Sequence, residues 1–395
     1  MTGRDGKVDD DNNAADSSTT GTGSAGSGSA GSAGTPRAAT LATDFTKLVG
    51  VEYPVVQTGM GWVSGPELTA ATANAGGLGI IASATMTYAE LEAAIIRTKE
   101  LTSKPFGVNL RADAEDAAER CELMIRHGVK VASFALAPKP ELIARLKENG
   151  LVVVPSIGAA KHAVKVASWG ADAVIVQGGE GGGHTGQVAT TLLLPSVIDA
   201  LGGAGSTSIP VVAGGGFFDG RGLVAALSYG AAGVAMGTRF LLTSDSQVPN
   251  AVKQQYLERG LQDTVVSTRV DGMPHRVLRT GLVNALESGS PVKGMIAAVQ
   301  NANKFKSMTG MKWQQLAKDG LNMKKASDRT WQQIVMAANT PMLLKAGLVE
   351  GNTEAGVLAS GQVVGMIDDL PSCDELIQRI MTQAHERLSE LRDLG

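Results

Sequence analysis

From Tyr53 onward, short apolar runs alternate with longer stretches whose apolar residues recur at spacings of three and four. Runs of strand length set between helix-period stretches predict βα units around a parallel sheet. Eight runs have strand character: PVVQTG (54–59), LGIIAS (78–83), FGVNL (106–110), VASFAL (131–136), LVVVPSI (151–157), AVIVQGG (173–179), IPVVAGGG (209–216) and GVAMGT (233–238). The stretches between them, among them MTYAELEAAIIRTKEL and KPELIARLKENG, read as amphipathic helices, and several end in a glycine suited to a left-handed C-cap. Strands this apolar need helices on their faces, and eight repeats within about 200 residues favour closure into a (β/α)8, or TIM, barrel. We place it at 41–284. An open doubly wound sheet is the runner-up, and no GxGxxG follows the first strand, where a dinucleotide fold would carry one.

Past Arg239 the pattern changes. Residues 248–260 look helical, 264–279 hold a short extended piece, and 285–395 read as a helical extension packed on the barrel, ending in DELIQRIMTQAHERLSELRDLG. Residues 1–40 have no periodic apolar face and pass into GTGSAGSGSAGSAGTP, a composition that cannot offset ordering entropy. This predicts a disordered tail.

Composition narrows the function classes. With 43% apolar and 18% charged residues, the chain is too apolar for disorder and too mixed for a membrane protein. A formal charge of −3 provides no basic field for a nucleic-acid backbone. Cys121 and Cys373 suit neither a disulfide framework nor a thiolate metal cluster, and no signal-peptide stretch opens the chain, so a reducing, cytoplasmic setting is expected. The histidines are not spaced as metal ligands, so no metal is expected.

Glycine is the exception: 50 of 395 residues, of which only eight precede residue 37. That is roughly twice the usual ~7%. In the folded part the glycines fall where a barrel keeps its chemistry, just after the strands. Gly214, Gly215 and Gly216 follow the seventh run, and Gly237 with Thr238 follows the eighth. Backbone N–H groups there can approach a phosphate without a Cβ between, aided by the helix starting near Asp219; otherwise the glycines merely ease tight turns. The sixth run leads into QGGEGGGHTG, with His184 at the mouth as a proton-transfer candidate, although a lone histidine can equally be structural. His127, His162 and His385 read as solvated helix residues, and His275 is left open. Met60, on the first loop, and Asn109, at the third strand end, stand where a flat ligand could lie.

QTGMGW, NAGGLGI, FGVN, VQGGEGGGHTG, AGGGFFDGRGLVAALSYGAAGVAMGTRFL and EAGVLASGQVVG, in that order over about 44–375, resemble the nitronate monooxygenase family, also called 2-nitropropane dioxygenases. The resemblance implies an FMN-dependent TIM barrel, with the FMN phosphate on Gly215, Gly216, Gly237 and Thr238. It further implies Thr58, Gly59, Met60, Asn109, Gln177, Gly182, Gly183 and Met236 around the flavin, and His184 facing substrate near its N5. Family members often carry Gln-Met-Gly-Thr where this chain has Ala235-Met236-Gly237-Thr238, which removes one polar contact to the cofactor. GMPHRVLRT and ANTPMLLKAGLVEGNTEAGVLASGQ are similar to an actinobacterial branch linked to steroid-ring breakdown as CoA thioesters. That branch implies a redox step on a hydroxyl or conjugated ketone of a methyl-indane thioester; the electron partner, NAD(P)H or another, and a homo-oligomer are left open by the sequence. Arg221, Arg239, Arg269, Arg276, Arg279, Lys304 and Lys306 are the candidates for the CoA pyrophosphate. Nitronate oxidation with oxygen, and a non-catalytic flavin-binding module, are the alternatives.

Overall fold

The computed structural model describes residues 37–202, 209–288, 331–352 and 356–394. Most of the tail and part of the extension, with Lys304 and Lys306, lie outside the described residues.

All eight runs are strands of a closed parallel barrel. They are β1 (Val55–Gln57), β2 (Leu78–Ala82), β3 (Gly107–Arg111), β4 (Val131–Ala135), β5 (Val152–Ile157), β6 (Val174–Gln177), β8 (Val211–Gly214) and β9 (Gly233–Met236), with a two-residue strand, β7 (Gly183–His184), between β6 and β8 in the chain. Closure is direct: β1 pairs with β2 at Val56 and Leu78, and with β9 at Val55 and Val234. The runs are apolar without alternation because each strand faces side chains inside the barrel and helices outside. Val56, Ile80, Val154, Ile175, Val212 and Ala235 belong to one buried cluster together with Phe45 and Val49. Those two come from the helix Asp44–Val49, whose Thr43 makes a reciprocal capping box with Thr46. This helix plugs one end of the barrel and leaves the end where the strands terminate to the rim loops.

A second sheet lies outside the barrel. Residues expected to hold one extended piece form a hairpin, β10 (Thr264–Ser267) and β11 (His275–Leu278), and β7 joins its edge in the order β10-β11-β7. The ladder sets His275 opposite His184 and Arg276 opposite Gly183. Of the later chain, the helix Trp331–Leu348 reaches the mouth, where its Pro341 carbonyl accepts from Trp62 Nε1 at 2.9 Å. The helix Cys373–Arg392 starts at a Ser372–Glu375 capping box and packs an apolar face, including Ile377, Ile380 and Met381, into the outer core. Among the described residues, no helix is long and apolar enough to cross a membrane.

Candidate active site

The rim loops close on one another at the strand ends. Thr58 Oγ1 donates to the Met236 carbonyl at 3.4 Å, and Met60 N donates to Ser64 Oγ at 2.9 Å. A Cβ placed on Gly237 would lie 3.3 Å from Thr58 Oγ1 and 3.5 Å from Met60 Sδ, and one on Gly59 would lie 2.6 Å from Asn109 Cβ. The loops after β1 and β9 and the strand β3 therefore share one close-packed floor. Asn109 itself donates to Ser133 Oγ at 3.2 Å, and Met236 is buried in the core, so only its backbone reaches the rim. Gln177 acts as an anchor: its Nε2 donates to the His184 carbonyl at 2.8 Å and holds the glycine loop in place.

Gly215 and Gly216 are both left-handed, at φ +95° and +84°. Side chains rarely adopt such a φ, so both positions favour glycine, and the turn carries no Cβ between its backbone and the mouth. Among the described residues, the N–H groups of Gly215, Gly216, Gly237 and Thr238 enter no turn, loop or cap hydrogen bond. Backbone donors of this kind beside a close-packed floor fit a phosphate and the flat group it carries. The nearby helix ends contribute less than expected. Asp219 Oδ1 accepts from Gly222 N at 3.0 Å and caps its own helix, while Glu180 accepts from Thr190 N at 3.0 Å and caps the helix Thr190–Ala200.

A remote segment finishes the floor. Gly361 N donates to Thr238 Oγ1 at 2.8 Å, Gln362 N to the Glu180 carbonyl at 2.9 Å, and Ser360 N to the Arg276 carbonyl at 3.3 Å. Gly182 lies so close beneath it that a Cβ would stand 2.5 Å from Gly361 N.

His184 is the exposed member of a three-residue cluster. Its Nε2 lies 2.5 Å from Asp271 Oδ2, and His275 Nδ1 lies 3.5 Å from the same oxygen. The imidazole centroids are 4.7 Å apart. Asp271 and His275 are buried, and Asp271 Oδ1 accepts from Met273 N at 3.0 Å. Burial opposes ionisation of Asp271, but hydrogen bonds from His184 and His275, the charge of His184 and the Met273 N–H outweigh it and hold the carboxyl below the usual carboxylate range. Sequence spacing offered no metal-ligand set, yet the fold brings donor atoms of these three residues within 4.8 Å of one another. Asp271 was missed altogether. The available signal was the Asp271-Gly272 pair, a turn dipeptide four residues before His275.

The other histidines are placed by local partners: His127 Nε2 meets Glu92 Oε1 at 3.0 Å, His385 Nε2 meets the Ala39 carbonyl at 2.8 Å, and His162 is exposed. Three of the basic rim candidates have partners within the fold. Arg239 is buried and ion-paired with Asp369 at 2.8 Å, Arg221 with Asp219 at 2.6 Å, and Arg276 holds the Gly179 carbonyl at 2.8 Å. Arg269 and Arg279 are exposed.

The chain is similar over nearly their whole length to two actinobacterial enzymes. It is 72% identical over 353 residues, 89% of this chain and 98% of the other, to the (3aS,4S,5R,7aS)-5-hydroxy-7a-methyl-1-oxo-octahydro-1H-indene-4-carboxyl-CoA dehydrogenase of Rhodococcus jostii. To the enzyme of the same name from Mycobacterium tuberculosis it is 71% identical, covering 87% of this chain and 96% of that one. Among solved structures, FabK from Thermotoga maritima superposes with a TM-score of 0.74 at 33% identity, covering 90% of this chain and 100% of that one. The family model for nitronate monooxygenase matches residues 42–383, which takes in the barrel, the hairpin and the segment that seats the glycine loop, and the chain belongs to the nitronate monooxygenase family.

Proposed function

We propose that this chain is an FMN-dependent dehydrogenase of a steroid-derived bicyclic CoA thioester, of the 5-hydroxy-7a-methyl-1-oxo-octahydroindene-carboxyl class. The observation that carries the reading is 72% identity spanning 98% of an enzyme of that name. The backbone N–H groups around Gly215, Gly216, Gly237 and Thr238 would hold the FMN phosphate, and the floor of Thr58, Gly59, Met60 and Asn109 would take the flavin face. Gly182, Gly183 and the Gln177 anchor shape the side of the cleft nearest His184. Bound FMN supplies a hydride acceptor.

The protein's own task is to take the accompanying proton. His184 is exposed and anchored at Nε2, so Nδ1 is its free atom and receives that proton as general base. The resulting imidazolium rests on the Asp271 carboxylate. Arg269, exposed two residues before Asp271, is available to the pyrophosphate of the thioester.

Anaerobic mixing of the FMN-loaded protein with the hydroxy thioester tests the reading. Bleaching of the flavin with loss of two hydrogen masses from the thioester is expected, and NAD(P)+ or another acceptor should then restore the colour. A protein that fails to retain FMN, or that consumes oxygen with alkyl nitronates while leaving the thioester intact, would overturn it.

A further inference from the structure

Asp271 has an arrangement that packing does not require. It is buried on a turn, one of its oxygens takes the Met273 N–H, and the other is held between two imidazoles that the β7–β11 ladder places side by side. A buried carboxylate that only accepts forces the nitrogen opposite it to carry the hydrogen. We propose that Asp271 is a positioning residue that locks His184 in the Nε2–H tautomer and thereby makes Nδ1 the atom that meets substrate. This rests on the reading of His184 as proton acceptor.

The geometry is specific about direction. Asp271 Oδ2 sits 2.5 Å from His184 Nε2, whereas among the described residues His184 Nδ1 has no protein partner. The backbone of His184 is fixed independently, by the Gln177 amide on its carbonyl and by the ladder to His275. With the main chain held on both sides, the ring has one remaining freedom, rotation about its side-chain bonds, and the Asp271 contact removes it. His275 lies beneath with its Nδ1 3.5 Å from the same carboxylate oxygen, which keeps that oxygen from water. A base whose proton sits on the wrong nitrogen cannot accept at the working position, and general-base contributions of about 10²–10⁴-fold are lost in that state.

Nitrogen-15 spectra of the FMN-loaded full-length protein, assigned with a His184→Gln variant, test this directly. The neutral His184 ring of the unmodified protein should carry its hydrogen on Nε2. In Asp271→Asn, whose amide can turn its NH2 toward the ring, the Nδ1–H form should appear, with kcat down about 10²–10⁴-fold, KM within a few-fold, and FMN content unchanged. A mixed or Nδ1–H ring in the unmodified protein would overturn the proposal, and so would a kcat loss in Asp271→Asn with the tautomer unmoved. The two readings fail separately. Undiminished turnover in His184→Gln removes the base while leaving the tautomer result intact, whereas an inactive His184→Gln beside an unlocked ring removes only the positioning role.

Discussion

Replacing Gly216 by Ala probes the glycine turn proposed to hold the phosphate. Gly216 sits at φ +84°, and the nearest atom to an added Cβ is Glu180 Cβ at 3.6 Å, an ordinary contact, so space is not the issue. What remains is the left-handed backbone, which costs a residue with a Cβ about 1–2 kcal/mol. That cost can appear in two places. If the loop keeps its shape without cofactor, the folded apoprotein bears the strain, its melting temperature falls and FMN affinity holds. If the loop relaxes when empty, binding must restore the strained shape, and 1–2 kcal/mol becomes an increase in Kd of about 5–30-fold at ~1.4 kcal/mol per tenfold. Quenching of FMN fluorescence gives Kd, and a thermal melt of the apoprotein gives the other quantity. A G216A protein that binds FMN within about twofold of the parent and melts at the same temperature would refute the assignment of this turn to the phosphate.

Three further outcomes follow from the same structure. The Asp271 carboxyl is held below its ordinary value of 3.8, so its contribution to stability is present above that value and is lost as pH falls through the lower folded one; urea unfolding should weaken below about pH 4, Asp271→Asn should flatten that acid limb, and equal slopes for the two proteins would count against the coupling. Burial pushes the Cys121 and Cys373 thiols up to about 12, so neither should react with a thiol reagent at mildly alkaline pH until urea is added, and prompt labelling of the folded protein would contradict the packing. Tyr256 is fully buried and its hydroxyl donates to the Ala359 carbonyl at 2.8 Å, so Tyr256→Phe should cost about 1–2 kcal/mol in denaturant unfolding and loosen the segment beneath the glycine loop, whereas no loss would mean that water replaces the bond.

The parts of this fold that could be read from sequence are those set by neighbours along the chain. Each strand of the barrel is a run such as LVVVPSI or AVIVQGG, and burial on two faces leaves its imprint within those few residues. The same holds for the glycines after the seventh and eighth runs, because a close backbone approach needs its glycine at the point of contact. Partnerships across the chain left no such trace. Asp271 meets His184 across 87 positions of sequence, through a hairpin that the extended reading of 264–279 did not resolve. Arg239 looked like a free rim cation because its partner, Asp369, stands 130 residues later. Charge alone did not tell a cation serving the fold from one available to a ligand. That distinction depends on what lies opposite, which local pattern does not contain.

The stitching of Gly361 to Thr238 and of Gln362 to Glu180 also bears on how the protein is made. Translation delivers the eight staves of the barrel and His184 well before the backbone that seats the glycine turns around them. A chain still on the ribosome after the hairpin has the proposed acid–base group but an unfinished berth for the proposed cofactor. On that proposal, flavin loading is deferred until nearly the whole polypeptide has emerged, and a product truncated ahead of Ser360 would be a barrel without a grip.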